Sequence, residues 1–121
     1  MKDLTPQEEQ LMRIVWKIGQ GFVKEYRECY PEPKPPYTTV ATIIKKLEKK
    51  GYVTSKLYGN TYEYAPAVEE EEYKRKYVSG LVNNFFKNSY KEMVSFFASE
   101  EKLSEEDVME IIEIIKNKGN K

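Results

Sequence analysis

The apolar spacing of this chain changes period at Gly51, and that switch limits the fold more than any other feature. Before the glycine, Val40, Ile43, Ile44 and Leu47 recur at the three- and four-residue intervals that place them on one side of a helix. Tyr37-Thr38-Thr39 offers a capping start, so a helix is predicted from about Thr38 to Lys50, with Gly51 as its stop. After the glycine the period falls to two, and β-formers flank Gly59-Asn60, a pair suited to a two-residue hairpin turn. Counting outward from that turn, Tyr58 faces Thr61, Leu57 faces Tyr62 and Lys56 faces Glu63. The last two pairs, one apolar and one of opposite charge, support the register. Pro66 closes the hairpin.

Upstream, Thr5 can cap a helix with Pro6 at its first position and Glu8 three residues after the cap. Leu11, Ile14, Val15 and Ile18 give that helix its stripe, and Gly19 with Gly21 ends it. Trp16 lies off the stripe and is expected to pack on another element. A second short helix fits Phe22 to about Glu28, after which Pro31, Pro33, Pro35 and Pro36 form a stiff connector. Downstream of Ala67 the chain reads as helical again, starting with the acidic run Glu69 to Glu72. Tyr73, Tyr77, Leu81 and Phe85 recur every four residues, joined by Val78, Val82 and Phe86. A shorter stretch carries Met93, Val94, Phe96 and Phe97. A last helix, capped by Ser104 with Asp107, carries Val108, Ile111, Ile112 and Ile115. Three short helices with so much apolar surface cannot bury it alone.

A chain of 121 residues holds one ordinary core or two small ones. Its chemistry is sparse. There is no histidine, and the single cysteine, Cys29, cannot form an internal disulfide and reads as a small apolar filler. An enzyme is therefore not expected, nor any metal or other cofactor. No apolar run approaches the roughly 20 residues that span a bilayer, and Met1-Lys2-Asp3 does not lead into a signal sequence, so a cytoplasmic protein without membrane insertion is expected.

Formal charge is zero, but it is unevenly spread. From Lys34 to Asn60 the chain carries Lys34, Lys45, Lys46, Lys49, Lys50 and Lys56 against Glu48 alone, whereas residues 67–121 hold nine basic and twelve acidic side chains. Screening confines electrostatics to about a Debye length, so distant acids do not cancel a local basic patch facing phosphates. The order helix, helix, helix, hairpin is that of a winged helix-turn-helix, whose third helix enters the major groove while the hairpin lies on adjacent backbone. Such a helix needs an apolar side for docking and a short polar or basic side for bases and phosphates. Val40, Ile43, Ile44 and Leu47 supply the first; Thr38, Thr39, Ala41, Thr42, Lys45, Lys46 and Lys49 supply the second. The fold class expected is mostly α with a small β-wing: a winged-helix domain over residues 1–66 and a helical dimerisation domain over 67–121.

Several segments resemble the BlaI/MecI penicillinase-repressor family: Tyr37-Thr38-Thr39-Val40, Leu47 through Val53, and Tyr62-Glu63-Tyr64-Ala65-Pro66. Leu4-Thr5, Glu8-Glu9, Ile14-Val15-Trp16 and Met93-Val94 through Phe97-Ala98 extend the likeness over nearly the whole chain. The resemblance implies a transcriptional repressor that binds palindromic double-stranded operator DNA as a homodimer joined through its C-terminal helices. It places DNA contacts on Thr38, Thr39, Ala41, Thr42 and Lys46, with wing backbone contacts near Lys56 to Thr61; the basic side of the helix adds Lys45, and Lys56, Tyr58 and Asn60 are the wing residues expected to reach DNA. Tyr77, Leu81, Phe85, Val94, Phe97, Val108, Ile111, Ile112 and Ile115 are the expected dimer interface. It further implies relief of repression by C-terminal cleavage triggered by a membrane sensor with a zinc protease domain. The family's Asn-Phe cleavage position falls here on Phe96-Phe97, whose first residue departs from the pattern. Ala41 departs as well, standing where the family often has a longer polar or basic side chain. The cysteine-rich metal hook of copper-responsive relatives is missing.

Two other classes remain at this stage. A winged-helix protein-interaction module without DNA binding would show no DNA enrichment in a pull-down. An enzyme would have to use the carboxylates among Glu69 to Glu72 or at Glu105, Glu106 and Asp107, yet both clusters sit at helix starts, where the dipole already accounts for them. Tyr62 and Tyr64 read as structural residues of the hairpin.

Overall fold

The computed structural model describes residues 2–119. The chain divides into two compact units, 1–74 and 75–121. In the first, α1 (Pro6–Ile18), β1 (Gly21–Phe22), α2 (Val23–Glu28), α3 (Tyr37–Lys49), β2 (Val53–Tyr58) and β3 (Thr61–Pro66) follow in order, and α4 (Glu70–Phe85) begins. The strands form one antiparallel sheet in the order β1-β3-β2. The hairpin register matches the sequence reading pair for pair: Tyr58 opposite Thr61, Leu57 opposite Tyr62 and Lys56 opposite Glu63. Gly59 takes a φ of 59° at the first turn position, which an L side chain adopts only with strain.

The core joins all three helices to the sheet. Leu11, Met12, Val15, Tyr26, Val40, Ile44 and Leu47 are fully enclosed, with Tyr52, Val53 and Tyr64 closing it from the strands. The Tyr26 hydroxyl lies within hydrogen-bond reach of the carbonyls of Gly19 (2.8 Å) and Tyr64 (3.1 Å), which share its one proton. Its burial, together with nearby Glu25 and Glu63, pushes its phenol up to about 12. Trp16 packs on another element as expected, donating its indole N–H to the Val68 carbonyl (2.8 Å) and meeting the Tyr73 ring at a tilt of 41° with centres 5.3 Å apart.

Two sequence expectations are corrected here. Residues Gly21 and Phe22 form a strand that the sequence reading did not include, so the second helix starts at Val23. A two-residue strand is too short to show a period, and it exists because it pairs with Glu63 and Tyr64 of β3. The third helix begins at Tyr37 rather than Thr38, with Pro36 as its cap and no side-chain cap bond; the fixed φ of proline presets the entry, leaving the threonine hydroxyls inside the helix. Tyr62 keeps the cross-strand partner Leu57 that the sequence reading gave it, and the two are 47% and 56% exposed because the hairpin tip extends beyond the core.

Among the described residues, the start of α1 is the one place where a carboxylate is buried. Thr5 and Glu8 form a reciprocal capping box, Glu8 accepting from the Thr5 N–H at 2.8 Å, and the same carboxylate oxygen meets Lys50 Nζ at 2.5 Å. Burial by itself would raise the Glu8 carboxyl, but the Lys50 ammonium and the Thr5 donors outweigh it and hold the group below its ordinary 4.5. A carboxyl lowered by folding adds stability that is fully present above the unfolded value and is lost as pH falls through the folded one. Glu8→Gln is therefore expected to cost about 1–2 kcal/mol near neutral pH and to flatten the loss of stability below pH 4.5. Urea unfolding across a pH series checks both; an unchanged acid limb would contradict the assignment.

The second unit holds the rest of α4, then α5 (Tyr90–Ser99) and α6 (Glu105–Gly119). Ser89 caps α5, and Ser104 and Asp107 cap α6 reciprocally at 3.0 and 3.1 Å. Among the described residues of 75–121, Val82 alone is buried. Phe85, Val94, Phe97, Val108, Ile111, Ile112 and Ile115 stand open in the single chain, as do Met109 and Ile114, so the apolar surface of α6 is wider than one stripe. Among the described residues, no helix is long and apolar enough to cross a membrane.

Candidate nucleic-acid interface

Helix α3 divides cleanly into a docking side and an outward side. Val40, Ile43, Ile44 and Leu47 are buried, whereas Thr38, Thr42, Lys45 and Lys49 are exposed and follow one another at intervals of four, three and four residues. That spacing makes them a continuous ridge opposite the core. Lys46 is exposed beside it. Thr39 and Ala41 lie on the two flanks and are half-buried, Ala41 against the core and Thr39 against a groove of about 300 Å³ with Gln7, Gln10, Tyr30, Pro33 and Pro35.

The start of this ridge is held by the connector. Arg27 Nε donates to the Pro35 carbonyl at 2.7 Å, and Lys34 Nζ donates to the Glu28 carbonyl at 2.9 Å and meets its carboxylate at 3.3 Å. These bonds tie the proline segment back to α2. The Pro36 carbonyl takes the N–H groups of Thr39 and Val40 at 3.0 and 3.2 Å, and because Pro36 brings no side-chain cap, those of Tyr37 and Thr38 before them remain available to an anion.

Charge on the ridge is less than the sequence count, and better placed. Lys34 is taken up by Glu28 and Lys50 by Glu8 and the Asp3 carbonyl, so neither belongs to the free basic surface. Lys45, Lys46 and Lys49 form no ion pair among the described residues. Glu48, the acid within this helix, hydrogen-bonds Ser55 Oγ at 2.5 Å and is thereby drawn toward β2. Lys49, outside the set of contacts that the family resemblance implies, closes the C-terminal end of the ridge; its helical phase relative to Thr38 and Lys45 was the signal for it.

The wing presents Lys56, Tyr58, Asn60 and Thr61, all exposed. Lys56 Nζ lies 5.3 Å from the centre of the Tyr58 ring, and Tyr58 meets Phe22 edge-on at 6.3 Å. Strand β1 therefore braces the wing from the side. Gln20 bonds Glu63 at 2.5 Å, occupying the carboxylate opposite Lys56.

A family model described as the penicillinase repressor matches residues 4–117. The chain belongs to the penicillinase repressor family. Its relatives include the methicillin resistance regulatory protein MecI of Mammaliicoccus sciuri, 25% identical, with 96% of this chain and 95% of that protein covered. The penicillinase repressor of Bacillus licheniformis is 24% identical over 98% of this chain and 93% of its own. Among solved structures, the organohalide-sensing transcriptional regulator RdhR in its ligand-free form superimposes with a TM-score of 0.50 at 13% identity, covering 98% of this chain and 64% of that one. That likeness bears on the fold, and the fold is a winged helix. Penicillinase repressors are DNA-binding transcriptional repressors and not enzymes, which settles the class in favour of gene control.

Proposed function

We propose that this member of the family represses transcription by gripping a palindromic operator as a homodimer, each subunit laying the α3 ridge in the major groove. The observation that carries this reading is the row Thr38, Thr42, Lys45 and Lys49, exposed, free of acid partners and flanked by a braced wing. Thr38 and Thr42 face base edges; Lys45, Lys46 and Lys49 answer phosphates; Thr39 and Ala41 touch the groove margins; Lys56, Tyr58 and Asn60 follow the neighbouring backbone. Residues 1–66 form the DNA-binding domain in this reading, and 67–121 the dimerisation domain. Tyr77, Leu81, Phe85, Val94, Phe97, Val108, Ile111, Ile112 and Ile115 supply its interface, consistent with how little apolar surface residues 75–121 bury in one chain.

Footprinting on the promoter of its own gene tests the proposal. Preference over random duplex at 0.15 M salt is expected to be roughly a thousandfold or more. Half-sites should be centred a whole number of helical turns apart. No preference for that promoter would end the reading.

Relief of repression is assigned to cleavage between Phe96 and Phe97, with a membrane-sensor zinc protease system as partner. Both rings are partly exposed, at 43% and 38%, but the bond lies within α5, so that helix must open before a protease can reach it. Sensor-containing membranes should yield a fragment beginning at Phe97. A stable chain in their presence, or a fragment with another terminus, would remove this part.

A further inference from the structure

Thr42 stands on the α3 ridge with its hydroxyl already engaged: Oγ1 donates to the Thr38 carbonyl one turn back, at 2.9 Å. A hydroxyl has one proton. With that proton committed, what Thr42 offers a base is its methyl group and an oxygen that can only accept. Its neighbour Ala41 offers a methyl and nothing polar. An apolar spot therefore interrupts a ridge otherwise made of a hydroxyl and two ammonium groups, with Lys46 beside it. In the major groove a single base edge carries an apolar group, the C5-methyl of thymine.

We infer that Thr42 selects a thymine in each half-site by methyl-to-methyl contact rather than by a hydrogen bond. This deepens the operator-binding reading and rests on it. Helix α3 places the contact one turn into the groove, between Thr38 on the N-terminal side and Lys45 on the C-terminal side. The hydroxyl bond to Thr38 holds the side chain in one rotamer, so the methyl is presented in a fixed direction.

The test uses the full chain and the operator footprinted in its own promoter, with each thymine and its symmetric mate replaced in turn by deoxyuridine, which lacks only the methyl. At one position the replacement is expected to weaken the wild type about fourfold per half-site, hence about fifteenfold for both, from roughly 0.8 kcal/mol per apolar carbon removed from water. Thr42→Val, which keeps the methyl, should retain both the affinity for the thymine duplex and the thymine-to-deoxyuridine ratio. Thr42→Ser, which keeps the hydroxyl, should bring it to one. An undiminished ratio in Thr42→Ser, or no position sensitive to deoxyuridine, overturns the inference while operator binding stands. A Thr42→Val variant that loses affinity equally on both duplexes also overturns it, and points to an amine donor on adenine or cytosine. Failure of the wild type to prefer its promoter rejects the operator reading itself, and this inference with it.

Discussion

Replacing Lys45 and Lys49 together by alanine is expected to reduce operator affinity a few hundredfold at 0.15 M salt. Both side chains are exposed on the outward ridge and have no acid partner among the described residues, so the fold loses nothing when they go. In a dimer the pair of substitutions removes four phosphate contacts. Each released counterion contributes about 0.9 to the slope of log affinity against log salt, so the slope should become shallower by about 3.5. At physiological ionic strength that amounts to about fivefold per contact. Lys50→Ala is the contrasting variant. Its ammonium is held by Glu8 and the Asp3 carbonyl, so it should lower the unfolding midpoint while leaving the salt slope unchanged. If Lys50→Ala changes the slope as much as Lys45→Ala, the division between free and internally paired lysines is wrong.

The second large effect is expected from α6. Ile111→Lys with Ile115→Lys places two charges on its apolar surface, where the native side chains are 39% and 65% exposed in the single chain. Charges there oppose burial against a second copy far more than they disturb the chain itself. Sedimentation should show one chain in place of two, and affinity for the intact palindrome should fall 10²- to 10⁴-fold, because the second half-site is no longer tethered to the first. Weak binding to an isolated half-site should persist. Unaltered helix content by circular dichroism would show that assembly alone was lost. A variant that still sediments as a pair would place the interface elsewhere.

The hairpin was legible residue by residue because three local signals agreed: the glycine of the turn, the period of two, and the matched pairs Leu57–Tyr62 and Lys56–Glu63. The apolar side of α3 was legible for the same reason, since every buried position there had been named from spacing alone, whereas on α1 the named stripe took in Ile18, which is exposed, and left out Met12, which is fully buried. What escaped was tertiary. The strand at Gly21–Phe22 has no pattern of its own and is made by its partner in β3. The cap at Pro36 works through a fixed dihedral, with no side-chain bond to signal it. The lysine count overstated the free charge because the partner of Lys50 lies 42 residues away in sequence, where no charge window reaches. Among the candidate contacts, Thr39 and Ala41 look equivalent to Thr38 and Thr42 by composition. They separate only once the proline connector and the core are seen to cover their flanks.

The bond from Trp16 to the Val68 carbonyl, with Tyr73 tilted against the same indole, puts the only tryptophan of the chain where the hairpin ends and α4 begins. Indole emission depends on the polarity around the ring and on hydrogen bonding at its nitrogen. Nature has thus installed an unlabelled optical gauge at that junction. Whatever event frees the operator, proteolytic or otherwise, a colour change in the ultraviolet would tell whether it is felt there, with no dye attached and no residue altered.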